Sequence, residues 1–212
     1  MELVWLGHAC FRIRAREATV VIDPCPPSSG YTIGKPTADI VVVTHDHDNH
    51  NYVKAVAGKP TLIDSPGEYE IHGAFVTTVR TYHDGEKGEE RGKNLSVVLE
   101  MEGIKVVHLG DIGHAPTADQ AEELGGPDVL MIPIGGNTTI DGAKAAEIVA
   151  LLEARYVIPM HYQTPAAKDT LDPPDRFLKE MQVTNVEPQA KLSLNANQVP
   201  PDPQLVLLDY RG

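Results

Sequence analysis

The chain has 212 residues, 42% of them hydrophobic and 23% charged, which suffices for a domain with a substantial core and excludes disordered, collagen-like and coiled-coil readings. Thirty acidic against eighteen basic residues give a formal charge of −12, so the overall field repels a phosphate backbone and disfavours a nucleic-acid partner. No run approaches the roughly 18 apolar residues of a membrane span, and there is no basic leader followed by an apolar segment.

The expectation is a cytoplasmic protein, residues 1–212 forming a single domain. Cys10 and Cys25 are too few for a disulfide scaffold and lack C-x-x-C spacing, so they read as reduced, packed thiols.

In chain order, the alternating stretch Glu2–Arg14 and the β-branched run Ala18–Ile22, ending at Asp23-Pro24, predict a strand pair feeding a loop. Pro24–Pro36, rich in Pro, Ser and Gly, reads as an irregular surface loop. Ile40-Val41-Val42-Val43 is a continuous apolar run of the kind buried on both faces. A short helix is expected at Asn51–Ala57, stopped by Gly58. Strands follow at Phe75–Tyr82, Leu95–Met101, Ile104–Leu109 and Val129–Ile132, with Glu102-Gly103 as a hairpin turn.

Thr117–Leu124 reads as a helix capped by Thr117. Gly142–Ala154 is the clearest helix, with Asp141 as N-cap and a stripe of Ala145, Ile148, Val149, Leu151 and Leu152. It leads into a strand at Tyr156–Pro159. Beyond Ala166 the pattern predicts a short helix near Asp175–Met181, a run at Lys191–Leu194 and a final strand at Gln204–Tyr210. Strands outnumber helices, and helices follow strands, which points to layered α and β.

The strongest chemical signal is Thr44-His45-Asp46-His47-Asp48-Asn49-His50, three imidazoles within six positions directly after a buried strand. Imidazole suits zinc and iron, and a loop leaving a rigid strand can turn several such side chains toward one point. Downstream, His83 in Tyr82-His83-Asp84-Gly85, Asp111 in His108-Leu109-Gly110-Asp111 and His161 in Pro159-Met160-His161-Tyr162 each follow a strand-like run.

In this order the residues resemble the metallo-β-lactamase superfamily, whose first metal motif reads H-x-H-x-D-H and is preceded by a strand ending in Asp, here Asp23. Trp5-Leu6-Gly7-His8-Ala9-Cys10-Phe11, Pro66-Gly67-Glu68-Tyr69-Glu70 and Pro133-Ile134-Gly135-Gly136 resemble the branch containing L-ascorbate 6-phosphate lactonase and zinc-dependent hydrolases of unassigned substrate. The resemblance implies an α/β (α+β) four-layer αββα sandwich. It also implies one metal on His45, His47 and His83, a second on position 49, His50 and His161, and Asp111 bridging them and handling the proton of the attacking water. Asp23 would support the His45–His50 loop from behind. The G-H-T-x-G motif around His83 that lactamases and glyoxalase II enzymes carry is missing, so their substrates are not implied.

One position departs from the pattern. Asn49 stands where the family has Asp, exchanging a strong anionic ligand for a weak amide oxygen. The implied cofactor is one or two zinc ions, with manganese or iron as alternatives. The implied function is hydrolysis of an ester, lactone or phosphoester bond in a small polar metabolite by metal-activated water. Phosphodiester hydrolysis, metal binding without turnover and diiron redox chemistry with a flavin partner are the rival readings, and an oligomer is compatible with the sequence.

The remaining histidines carry less. His8 and His114 read equally as substrate contacts or structural hydrogen-bonders, His72 and His108 as strand or turn residues. Arg91-Gly92-Lys93 reads as a solvated charged turn before it reads as an anion guide.

Overall fold

The computed structural model describes residues 1–211. Among the described residues, thirteen strands form two sheets. The first runs in the order β12-β1-β2-β3-β4-β5 and the second β13-β11-β10-β9-β8-β7-β6. The strands are β1 (Glu2–Gly7), β2 (Cys10–Arg14), β3 (Thr19–Ile22), β4 (Ile40–Val42), β5 (Thr61–Ile63), β6 (Gly67–Ile71), β7 (Ala74–Tyr82), β8 (Lys93–Met101), β9 (Ile104–His108), β10 (Val129–Pro133), β11 (Tyr156–Met160), β12 (Leu192–Ser193) and β13 (Gln204–Leu205). The helices are α1 (Ala118–Leu124), α2 (Gly142–Leu152) and α3 (Asp175–Glu180). Among the described residues no helix is long and apolar enough to cross a membrane.

Period-two alternation sorts the side chains into layers. Val20 and Ile22 of β3 and Ile40 and Val42 of β4 enter the central core, where they join Val97, Leu99, Val106 and Leu130 of the second sheet. The intervening Val21 and Val41 face outward into a smaller cluster with Cys10, Cys25, Tyr31 and Val56. Helices α1 and α2 pack on β7 and β10 of the second sheet, and α3 packs on α2. This is the expected αββα sandwich, but the outer layer on the first sheet is built from the Pro24–Pro36 loop and the 3-10 turn Val53–Ala55.

That loop is therefore no simple surface segment: Cys25, Ser29 and Tyr31 within it are at most 2% exposed. Nor does the helix expected at Asn51–Ala57 form, because Tyr52 offers no side-chain cap and β-branched Val53 opens, and Val56 closes, a single 3-10 turn. The long alternating stretch at the start splits into β1 and β2 at a tight turn, with Gly7 at φ 105° and His8 at φ 54°. On α2, Asp141 caps as expected while Leu151 turns away from the buried stripe and is 51% exposed. Thr117 and Gln120 form a reciprocal capping box on α1.

Strands β5 and β6 carry no clear signal in the sequence, being short or an edge strand with Glu68 and Glu70 outward. The final strand is confined to Gln204–Leu205, after which the described residues hold only an isolated bridge, Gln189 to Leu208.

Direction matters for function. β1 and β3 are both antiparallel to β2, and β4 is parallel to β3. In the second sheet β7 and β9 are both antiparallel to β8, and β10 and β11 are parallel to β9. With β5 parallel to β4 and β13 parallel to β11, nine strands present their C-terminal ends together, and the residues of the candidate site follow β1, β3, β4, β7, β9 and β11 among them.

Candidate metal centre

Asp23 follows β3, His45, His47 and His50 follow β4, His83 follows β7, Asp111 follows β9 and His161 follows β11. The structure brings all of these side chains to one point. Asp111 Oδ2 lies 3.2 Å from His50 Nε2, 3.3 Å from His83 Nε2, 3.2 Å from His161 Nε2 and 3.9 Å from His45 Nε2. One ring nitrogen each of His45, His47 and His83 also lies within 4.8 Å of the others. His47 is the exposed member; His45, His50, His83, Asp111 and His161 are buried.

The imidazoles are oriented from behind. His50 Nδ1 donates to Asp23 Oδ2 at 2.9 Å, His83 Nδ1 donates to the Thr138 carbonyl at 3.0 Å, and His45 Nδ1 donates to Thr44 Oγ1 at 2.9 Å. The last assignment follows because the Thr44 hydroxyl hydrogen is spent on Asp23 Oδ2 at 2.7 Å. Each of the three thus commits Nδ1 outward and turns Nε2 inward, the arrangement in which outer hydrogen bonds orient a metal-binding histidine. Fully buried Asp23 also accepts from the Thr44 backbone N–H at 2.8 Å, so it clamps the start and the end of the histidine loop at once.

Asp111 is held by Asn94, whose Oδ1 accepts its backbone N–H at 2.9 Å while its Nδ2 donates to Thr81 Oγ1 and the Leu109 carbonyl. Gly110 is obligatory before it. Its φ is 60°, and a Cβ there would stand 2.3 Å from Asn94 Oδ1. His8, Asp23 and His161 adopt φ of 54°, 47° and 50°, a backbone state that costs non-glycine residues roughly 1–3 kcal/mol each. That strain lets each side chain turn sharply off its strand end into the site.

Charge is concentrated here. Burial works against an imidazolium at His50, yet the carboxylates of Asp111 and Asp23 on either side raise it to about 10. Burial and then the His50 charge push His45 down to about 3, and burial and then His161 push His8 down to about 4. Burial likewise opposes ionisation of Asp111, but His161 and His50 hold its carboxyl well below the usual range.

The donor set fits a divalent cation. His45 Nε2, His161 Nδ1 and Asp111 Oδ1 are buried without a hydrogen-bond partner among the described residues, a costly condition for a native interior. The separations around Asp111 Oδ2 reach beyond good hydrogen-bond length; two ligands on one zinc with bonds of about 2.05 Å are instead about 3.3 Å apart. A cation taking His50 Nε2 would displace the proton held there.

Asn49 turns its amide nitrogen to Asp169 Oδ2, 3.2 Å away. His108 is structural, donating from Nε2 to the Ala9 carbonyl and accepting from the Gly110 N–H. His114 is bound by the Tyr82 N–H and the Ala115 carbonyl. His72 sits in the exposed β6–β7 turn.

Two features escaped the sequence. Asp84 accepts four backbone N–H bonds, from Glu86, Gly88, Glu90 and Arg91. Burial opposes ionisation, but those donors hold its carboxyl at about 2, and they freeze the loop that follows His83; an Asp before a Gly-rich turn was the available signal. Asp169 has no motif at all and reaches the site from a loop some 120 residues beyond Asn49. A cleft of about 730 Å³ opens onto the cluster, lined among others by His8, Arg91, Asn137, Thr138 and Asp169.

The sequence matches the Beta-lactamase superfamily domain over residues 2–161. It is 33% identical over 205 residues to a UPF0173 protein of Pyrococcus furiosus, covering 86% of this chain and 91% of that one. A UPF0173 metal-dependent hydrolase of Thermococcus onnurineus is 31% identical over 209 residues, covering 84% and 91%. A crystal structure from Thermotoga maritima, described as a zinc-dependent hydrolase of the metallo-β-lactamase superfamily, superposes with a TM-score of 0.82 at 39% identity, covering 98% of this chain and 97% of that one.

Proposed function

The chain belongs to the metallo-β-lactamase superfamily, and from that premise we propose that it is a metal-dependent hydrolase cleaving an ester, lactone or phosphoester bond of a small polar metabolite. The observation that carries the reading is the single carboxylate oxygen of Asp111 facing the Nε2 atoms of His45, His50, His83 and His161 within 3.9 Å. Relatives named metal-dependent hydrolases support it.

His45, His47 and His83 would hold one ion and His50 with His161 a second, Asp111 being shared. Zinc suits a histidine-rich set best, with manganese or iron as alternatives. A bound divalent cation supplies Lewis acidity toward a carbonyl or phosphoryl oxygen and acidifies water. Asp111 Oδ1, buried and unpartnered, is placed to take a hydrogen bond from water entering the cleft and to receive its proton. Asp23, Thr44 and Thr138 keep the imidazole tautomers correct through the cycle. Residues 1–212 act as one domain in this reading, supported by a single hydrophobic cluster that contains both Leu3 and Leu208.

Phosphodiester hydrolysis is the second reading within the class, favoured by the Arg91 guanidinium on the cleft wall. The test is metal analysis of purified protein with a panel of lactone, carboxylic-ester and phosphodiester substrates, alongside His45→Ala, His161→Ala and Asp111→Asn. The parent should carry metal and hydrolyse one bond class. Both histidine variants should lose metal and activity, and Asp111→Asn should lose at least about 100-fold in kcat. Unchanged metal content in both histidine variants refutes the assignment.

A further inference from the structure

The second half of the site lacks the acidic ligand that the first metal motif normally supplies, since Asn49 stands there and spends its amide on Asp169. A neutral amide is a poor ligand for a hard or borderline cation. Directly beside this gap lies His8. Its ring centroid is 4.4 Å from that of His161 and 4.8 Å from that of His50, and one ring nitrogen each of His8, His50 and His161 falls within 4.8 Å of the others.

His8 is 3% exposed, yet among the described residues neither Nδ1 nor Nε2 has a hydrogen-bond partner. A buried imidazole with both nitrogens unsatisfied needs an explanation. Packing does not provide one, because the residue is held by its backbone instead. The His8 carbonyl accepts from Trp5 Nε1 at 2.9 Å and from the His161 N–H at 3.1 Å, and its positive φ aims the ring at the site rather than along the strand. Asp169 Oδ2 stands 3.5 Å from His8 Nε2. That is the layout of a carboxylate placed outside a metal-binding histidine.

We propose that His8 serves as a ligand of the second metal ion together with His50, His161 and the shared Asp111, and that Asp169, anchored by Asn49, is the positioning carboxylate that orients His8 and restores the negative charge missing at position 49. This rests on the reading of the cluster as a metal centre. It also explains the Asn: an Asp at position 49 would set two carboxylates about as close as Asn49 and Asp169 now stand, 3.2 Å, with like-charge repulsion.

The experiment is calorimetric titration of metal-stripped full-length protein with Zn2+ alone, with stoichiometry checked by elemental analysis. Parent, His8→Gln, Asp169→Asn and Asp169→Glu are compared, with urea unfolding of each. Asp169 is 47% exposed on its side chain, so its variants test the idea even if His8→Gln unfolds. The parent should bind two equivalents. His8→Gln and Asp169→Asn should keep the first and weaken the second by at least about 10-fold, and Asp169→Glu should recover part of the loss. Parent binding of one equivalent only, or an unchanged second equivalent in either His8→Gln or Asp169→Asn, overturns the proposal while leaving a one-metal hydrolase intact. Absence of zinc binding by the parent overturns the metal-centre reading itself.

Discussion

Replacing Asp23 by Asn changes one atom and no volume, yet all three groups around this carboxylate are donors. Oδ1 accepts the Thr44 N–H, and Oδ2 accepts both the Thr44 hydroxyl and His50 Nδ1. An amide offers one oxygen and one NH2. If the NH2 takes the Oδ1 position, it faces a backbone N–H that is 21 residues away in sequence and has no other acceptor there. If it takes the Oδ2 position, it faces the Thr44 hydroxyl and His50 Nδ1, and His50 must give up its Nδ1 proton and keep only the one on Nε2, the nitrogen that faces Asp111.

The first arrangement costs about 1–3 kcal/mol for a buried unsatisfied donor. The first also leaves the His50 imidazolium with one counter-charge instead of two, the second removes that charge altogether, and breaking a buried pair costs about 3–5 kcal/mol. Because Asp111 remains as the second partner, the lower end applies, so we expect a loss of about 3 kcal/mol. For a chain of this size that lowers Tm by about 6–12 °C. Zinc affinity should fall about 10–100-fold through the lost orientation of His50. Urea unfolding of the metal-stripped protein and a chelator-competition titration measure the two effects separately. A variant with the parental urea midpoint and parental zinc affinity would refute the clamp.

Two further outcomes are expected. Gly7→Ala places a Cβ 2.1 Å from Tyr31 Cδ1 at a φ of 105°, and Tyr31 cannot retreat because it is 2% exposed and tied to Thr164 Oγ1 at 2.7 Å. Destabilisation of about 2–4 kcal/mol is expected in urea, and a change under about 0.5 kcal/mol would contradict the packing described. Glu2 is bound by Lys191 Nζ at 2.7 Å, which lowers its pKa against a smaller opposing effect of burial. A carboxylate with a depressed folded pKa stabilises above its unfolded value near 4.5 and loses that contribution as pH falls through the folded one. Glu2→Gln should therefore cost about 0.2–1 kcal/mol at pH 7 and nothing at pH 2, and an equal cost at both pH values would show that the pair does not titrate as described.

Much of this molecule was legible in one dimension. The apolar run ending at Val43 and the β-branched segments of β7 to β11 determined their strands because alternation and burial act locally. Asp141 and Thr117 marked helix starts for the same reason, as each cap is a bond between near neighbours. The ordered series His45, His47, His50, His83, Asp111 and His161 was recognisable because His45, His83, Asp111 and His161 come within three residues of a strand end and His47 and His50 keep fixed spacings after His45, relations that sequence position preserves.

Only the tertiary structure decided the rest. How short β13 would be depended on its pairing with β11, a partner distant along the chain. His8 stood beside a glycine with no spacing to tie it to His161, and Asp169 lay in a segment without periodicity. Their meeting follows from two sheets that point nine strand ends at one edge and from a left-handed turn after β1. Hydrogen bonds and ligand geometry act over about 3 Å of space, whatever number of residues separates the groups along the chain.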